Sequence, residues 1–342
     1  MNMHLAISRL IERHNLSQEE ARQVMERIMA GEATSAQIAA FAVALRMKGE
    51  TVDELAGAAQ AMREKATRVT TAATPLIDTC GTGGDGRGTF NISTTAAFVV
   101  AACGVTVAKH GNSSISSKCG SADLLRALGV GIEVSPATVA RCLEGAGIGF
   151  LFAPRHHGAM KHAAQPRKEL GVRTLFNLLG PLTNPASATC QLMGVFDGRW
   201  TEPLAHVLGR LGVRRALVVH GLDGLDELTT TAGNIVSELR RDGTVETRTV
   251  EPEEWGLARA SLEALSGGDV AENVTITREI LSGTRGPRRD IVVLNAGAAL
   301  YVADAAVDIV SGMERAAQAI DSGEASRKLN LLISLTGTKH GQ

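Results

Sequence analysis

The chain has few aromatic residues, no long apolar run and no grouped cysteines, and each lack closes off a class of protein. Aromatics make up only 3% of the 342 residues, whereas 37 glycines and much alanine point to packing through small side chains. The longest apolar run, residues 96–108, is interrupted by Gly104 and Thr106 and falls short of the ~20 residues of a membrane span. The opening MNMHLAISRLIERHN lacks the apolar stretch of a signal peptide, so no membrane partner is expected. The five cysteines (80, 103, 119, 142 and 190) are scattered, odd in number and contain no C-x-x-C. That pattern argues against a disulfide framework or a zinc site and for thiols kept reduced in the cytoplasm. A formal net charge of −1 gives no reason to expect a nucleic-acid partner. What remains, 44% hydrophobic and 21% charged, is an ordinary soluble globular composition, long enough for one large domain or two ordinary ones.

Residues 1–68 read as helices only. Ser17-x-x-Glu20 is a capping box, followed by Ala21, Val24, Met25 and Ile28 at helical spacing and stopped by Gly31. Ser35 opens a second helix with Ile38, Phe41, Ala42 and Leu45 on one face, and Thr51-x-x-Glu54 caps a third. Its small residues Ala56, Gly57, Ala58 and Ala59 would let helices approach closely. Nothing in this unit carries chemistry, and a structural role, including a dimer surface, is expected.

From about Thr71 to the end, residues 71–342, the pattern changes. Apolar strands (105–108, 148–153 and 216–219) alternate with helices starting near Ser93, Ser121 and Ser135-Pro136. The predicted class is therefore α/β: a small helical N-terminal domain and a larger domain with a mostly parallel central sheet, whose ligands bind at the carboxyl ends of the strands.

Five glycines fall between Gly81 and Gly88, in GTGGDGRG, followed by TFNIST. Gly81, Gly83 and Gly86 satisfy the dinucleotide pattern G-x-G-x-x-G, which also needs a carboxylate about 20 residues on to hold a ribose. Between Asp85 and Asp123 there is neither Asp nor Glu, only Arg87, Lys109 and Lys118 with His110. The dinucleotide reading fails, and without G-K-[ST] a Walker loop fails too. A phosphate nest fits: glycines turn N–H groups inward, and a helix opened by Ser93 and Thr94, running from Thr95 to Cys103, offers free N–H groups and its dipole to an anion. Lys109 adds a charge, and Asp85 makes sense if Mg²⁺ accompanies the phosphates. A second acidic group, Asp226-Glu227, sits in a glycine-rich loop directly after the strand 216–219 and could hold the metal. The His156-His157 pair has no further Cys or His at ligand spacing and is read as structural or lining.

In order and spacing, these segments resemble the anthranilate phosphoribosyltransferases. The matching stretches are DTCGTGGD (78–85), FNIST (90–94), KHGN (109–112), SSKCGSAD (116–123), RKELGVRTLFNLLGPLTNP (167–185) and HGLDGLDE (220–227). The resemblance implies a nucleoside-phosphorylase-like architecture, a mid-chain contribution of residues 166–185 to the helical domain, and a homodimer through that domain. It implies transfer of the phosphoribosyl group from 5-phosphoribosyl 1-pyrophosphate to the amino group of anthranilate, a step of tryptophan biosynthesis. By the same resemblance Gly81, Gly84, Asp85, Thr89, Asn91, Ser93, Thr94, Lys109 and Ser121 would bind phosphoribosyl pyrophosphate. Gly81, Asn112 and Arg167 would meet anthranilate. Ser93 would ligate one Mg²⁺ and Asp226 with Glu227 a second. His110 would position substrate, since a neighbour of Lys109 is disfavoured as a cation. The chain departs from the family pattern at Ser113, where Arg is usual, at Gly158, where Pro is usual, and where Pro166 directly abuts Arg167. A nucleoside phosphorylase on the same scaffold is disfavoured by the metal-ready acidic pair, and a non-catalytic nucleic-acid binder by the balanced charge.

Overall fold

The computed structural model describes residues 1–113 and 118–337. Four helices come first: α1 (Met3–Ile11), α2 (Gln18–Ala30), α3 (Ser35–Lys48) and α4 (Val52–Lys65). Both predicted capping boxes form. In the first, the Glu20 N–H donates to Ser17 Oγ (3.3 Å) and the Ser17 N–H to Glu20 Oε2 (2.9 Å). In the second, the Glu54 N–H donates to Thr51 Oγ1 (3.3 Å) and the Thr51 N–H to Glu54 Oε2 (2.8 Å). A third box, Thr34 with Gln37, caps α3, so Ser35 is the first helical residue there and Thr34 the cap. The small residues of α4 do bring helices together: a Cβ on Gly57 would lie 2.1 Å from the Gln18 carbonyl oxygen on α2.

The larger part follows as β1 (Leu76–Gly81), α5 (Ile92–Ala102), β2 (Thr106–Gly111), α6 (Ser121–Leu128), α7 (Pro136–Gly145), β3 (Ile148–Phe152), α8 (Ala153–His156), α9 (Lys161–Leu170) and α10 (Leu175–Leu179). It continues with β4 (Cys190–Gly194), α11 (Thr201–Arg210), β5 (Arg215–Gly221), β6 (Asn234–Leu239) and β7 (Val245–Val250). Four helices close the chain: α12 (Val270–Leu281), α13 (Pro287–Val302), α14 (Ile309–Asp321) and α15 (Glu324–Thr336). The sheet runs β3-β2-β1-β4-β5-β6-β7. Strands β1 to β5 pair in parallel, and β6 and β7 add an antiparallel edge.

Strand β5 shows how the sheet divides two cores. Leu217 and Val219 join the apolar cluster built around α5 and α13, and the alternate residues Ala216 and Val218 join the cluster containing the N-terminal helices and α11. Residues 161–182 leave the sheet and pack back on the N-terminal helices, α9 on α2 and α3, α10 on α3 and α4. Their Leu175, Phe176, Leu178, Leu179 and Leu182 share one apolar cluster with Leu10, Met25, Phe41 and Leu55.

The topology fixes the site. From β1 the chain moves outward through β2 to β3, then returns to place β4 on the other side of β1, which opens a crevice at the carboxyl ends of β1 and β4. Both strands end on glycine there, for steric reasons. A Cβ on Gly81 would stand 2.4 Å from Asp226 Oδ2, and one on Gly194 only 1.5 Å from the Asp226 carbonyl oxygen. No helix among the described residues is long and apolar enough to cross a membrane.

A candidate anion and metal site at the strand ends

After Gly81 the chain turns through Gly83, Gly84, Gly86 and Gly88, all with positive φ between 68° and 75°. Only glycine adopts that region without cost, which explains their density. The loop is secured at three places. The Gly83 N–H donates to Asp226 Oδ2 (2.6 Å), the Arg87 N–H to Asp85 Oδ1 (3.2 Å), and the Arg173 guanidinium to the Gly84 carbonyl. At its far end Thr89 forms an isolated bridge with Ser266.

Helix α5 begins earlier than its sequence suggests. It starts at Ile92 with Asn91 at the cap position, so Ser93 and Thr94 lie inside the first turn. Asn91 makes no side-chain cap bond. Its backbone N–H (3.0 Å) and its amide (3.1 Å) both donate to Asn273 Oδ1, and the amide also reaches the Cys119 carbonyl (3.2 Å). The Ser93 N–H, a free donor of the helix start, points at Glu227 Oε1 (3.1 Å). Lys109, buried on β2, donates through Nζ to the Thr79 carbonyl and to Ser93 Oγ (3.3 Å).

The interval from Arg87 to Ala122 is free of carboxylates, but the fold brings in Asp226 and Glu227, 143 residues after Gly83 and 134 after Ser93, and each accepts an N–H that an anion could otherwise take. Both carboxyls hold their protons more tightly than usual. Burial is the first cause for Asp226, reinforced by Asp85 and Glu227, and its proton affinity is raised well above the ordinary carboxylate range. Glu227 is pushed up to about 7 by burial and by Asp85, against the opposing pull of Lys109. Lys109 is in turn driven down by burial and supported by Asp78.

Crowded carboxylates that resist ionisation are the electrostatic signature of a place for a cation. The donor set is all oxygen, from Asp226, Glu227, Asp85 and Ser93, which suits Mg²⁺. Among the described residues no group of three or more His, Cys, Asp or Glu is placed to hold a metal ion by itself. An ion here would need further oxygens from water or substrate, as Mg²⁺ commonly takes.

On the other side of β2 the chemistry changes. His110 and His157 pack tilted with ring centroids 5.1 Å apart, and the Nε2 atom of each is buried with no hydrogen-bond partner among the described residues. Burial first, then the neighbouring imidazoles, keeps both neutral: His110 falls well below the usual range and His157 to about 4. His156 is fixed through Nδ1 to the Thr67 carbonyl (2.7 Å), a structural role. The His110 backbone N–H donates to Asp78 Oδ1 (3.1 Å), and Asn184 Nδ2 donates to the other oxygen of that carboxylate, Oδ2 (2.7 Å). Arg167, on α9, lies 5.5 Å over the Phe176 ring, and burial makes its charge harder to keep.

Of the residues singled out in the sequence, Gly81, Gly84, Asp85, Ser93, Lys109, Asp226 and Glu227 share one corner. Asn112 and Ser121 pair with each other, the Ser121 hydroxyl donating to the Asn112 carbonyl (3.1 Å). Arg167 and Asn112 make no hydrogen bond to that corner among the described residues. Thr94 is buried inside α5. Ser116 and Ser117 of the matching SSKCGSAD stretch lie outside the described residues. Sequence reading passed over Asp78, Asn184, Arg173 and Asn273, which hold the machinery from behind. Asp78 and Arg173 lie inside recognised motifs, whereas Asn273 gave no signal.

Comparison with known proteins agrees with this geometry. Residues 5–66 match the helical bundle domain of a glycosyl transferase family, and residues 73–326 match its a/b domain. An anthranilate phosphoribosyltransferase of Thioalkalivibrio sulfidiphilus is 57% identical over 338 residues, covering 99% of this chain and 100% of its own. The Thermus thermophilus enzyme superposes with a TM-score of 0.92 at 47% identity, over 97% of this chain and 99% of its own. The Saccharomyces cerevisiae enzyme, solved in complex with PRPP and Mg, has a TM-score of 0.90 at 27% identity, covering 98% of both chains. Likeness of this degree, in sequence and in fold over nearly the full length, places the chain in the anthranilate phosphoribosyltransferase family.

Proposed function

We propose that the strand-end corner binds phosphoribosyl pyrophosphate with Mg²⁺, and that the chain transfers the phosphoribosyl group to the amino group of anthranilate, releasing pyrophosphate. The observation that carries the reading is the pairing of two anion-binding N–H groups, Gly83 and Ser93, with the raised carboxyls of Asp226 and Glu227. Displacement at the anomeric carbon leaves positive charge on the ring and negative charge on the departing pyrophosphate. Catalysis then consists of holding the leaving group and placing the amine.

In this reading the amides of the glycine loop, with Gly81, Gly84, Asp85 and Thr89, line the pyrophosphate. Asn91, Ser93, Thr94, Lys109 and Ser121 hold the phosphoribosyl end. Asp226 with Glu227, and Ser93 for a second ion, would hold Mg²⁺, which supplies neutralising charge to the leaving group. Arg167 takes the anthranilate carboxylate through its planar fork, with Gly81 and Asn112 beside it. His110, kept neutral, would use its buried, unsatisfied Nε2 for positioning, and the arylamine needs no strong base because it attacks uncharged.

The helical domain, residues 1–68 completed by 166–185, also carries exposed Leu5, Ile11 and Met47 on α1 and α3. These support a homodimer through that face. Among the described residues no cysteine is joined in a disulfide, which suits the cytoplasm.

The test mixes the purified protein with anthranilate and phosphoribosyl pyrophosphate and follows anthranilate fluorescence with and without Mg²⁺. Loss that requires Mg²⁺, matched by stoichiometric pyrophosphate, supports the reading. Steady fluorescence with tight phosphoribosyl pyrophosphate binding would refute the acceptor, and failure to bind it would refute the site.

A further inference from the structure

Arg173 is used by neither the phosphate corner nor the acceptor side as described above, yet it is the side chain from residues 161–182 that grips the glycine loop. The segment that bears it is packed on the N-terminal helices. Its guanidinium nevertheless donates to the Gly84 carbonyl and lies 4.3 Å over the Phe196 ring. Phe196 is anchored to the same loop, since its N–H donates to Thr82 Oγ1 (3.0 Å). Arg173 thus joins the turn between α9 and α10, the glycine loop and the chain after β4. Gly84 sits at φ +75°, and among the described residues a Cβ built on it would meet only this guanidinium, 3.7 Å away.

We infer that Arg173 is a positioning residue for phosphoribosyl pyrophosphate, acting through the Gly84 carbonyl to keep the loop's N–H groups turned toward the Asp226-Glu227 corner. The inference rests on the reading that this corner holds the pyrophosphate. The chemistry favours arginine at this place. A bond to the carbonyl alone could come from lysine, but a planar guanidinium can bond in its plane while its face covers an aromatic ring. Holding the Gly84 carbonyl outward turns the neighbouring N–H groups inward, the geometry an anion nest requires.

The experiment compares the unsubstituted enzyme with Arg173→Ala, Arg173→Lys and Phe196→Leu, measuring KM for each substrate, kcat and thermal midpoint. The contact is exposed, so the expected effect is moderate: Arg173→Ala raises the phosphoribosyl pyrophosphate KM about 5- to 20-fold. The anthranilate KM should change less than about twofold, and the thermal midpoint should hold. Arg173→Lys and Phe196→Leu should each fall between the Ala variant and the unsubstituted enzyme. An unchanged phosphoribosyl pyrophosphate KM in Arg173→Ala would overturn the inference, and so would equal rises in both KM values together with a lower midpoint, which mark a merely structural contact. Inactivity of the unsubstituted enzyme would instead overturn the functional reading on which the inference rests.

Discussion

Replacing Glu227 by Gln should make the metal-free protein more stable at pH 8 and much less active. Gln keeps the oxygen that accepts the Ser93 N–H and removes the charge that the site resists. A proton affinity raised from 4.5 to about 7 corresponds to about 3 kcal/mol against the charged form. Solvent at this half-open edge lowers that to about 1–3 kcal/mol. Below pH 4.5 Glu227 is neutral in folded and unfolded chain alike, and the two proteins should match. Between pH 4.5 and 7 the unfolded chain ionises while the folded chain stays protonated, so the unsubstituted protein loses ground as pH rises. Above pH 7 the gap is complete. For a chain of this length it amounts to about 2–4 °C in the thermal midpoint. Thermal melts without Mg²⁺ at pH 5 and pH 8 read the difference, and the fluorescence assay at saturating Mg²⁺ should show kcat/KM down about 100-fold or more. A Gln variant that is less stable at pH 8, or equally offset at both pH values, would refute the electrostatic account of the corner.

Three further outcomes follow from the packing. Arg167→Ala should raise the anthranilate KM about 10- to 100-fold, the loss of a charge-assisted pair, with the phosphoribosyl pyrophosphate KM nearly unmoved in steady-state kinetics. Gly194→Ala forces a methyl group into the Asp226 carbonyl oxygen, 1.5 Å away, and should displace the acidic pair by about 1 Å, costing about 100-fold in kcat. Glu54→Ala breaks an ion pair with Lys48 (3.0 Å) whose side chains are 1% and 4% exposed and orphans the Leu16 N–H, and denaturant titration should show a loss of about 3–5 kcal/mol.

Where the sequence was readable, the signal was local. Ser17 and Thr51 announce their helices because a cap and its partner lie three residues apart, and Ser135 because a proline follows it at the first helical position. The strand ends were placed by their glycine-rich loops. What stayed hidden needed distance or an absent side-chain pattern. Strands β6 and β7 escaped notice because β7, with Glu246, Thr247, Arg248 and Thr249 exposed, carries no buried alternation. The start of α5 was misplaced by a turn because Ser93 looks like a cap, whereas its N–H is reserved for a carboxylate 134 residues away. Asn273 reaches Asn91 across 182 residues, and no spacing rule connects them.

The return of residues 161–182 to the N-terminal helices has a consequence for how the chain is made. The apolar cluster that buries α1 to α4 is completed by Leu175 to Leu182, by Leu204 to Leu208 and by Leu239. On a translating ribosome the first four helices therefore emerge with their inner faces uncovered. Those partners emerge between 110 and 174 residues after Lys65, roughly 5–35 s later at ~5–20 residues per second. The four helices made early are thus among the last elements to be fully covered, and how long their inner faces stay open to water is set by the order of the chain rather than by the strength of the helices themselves.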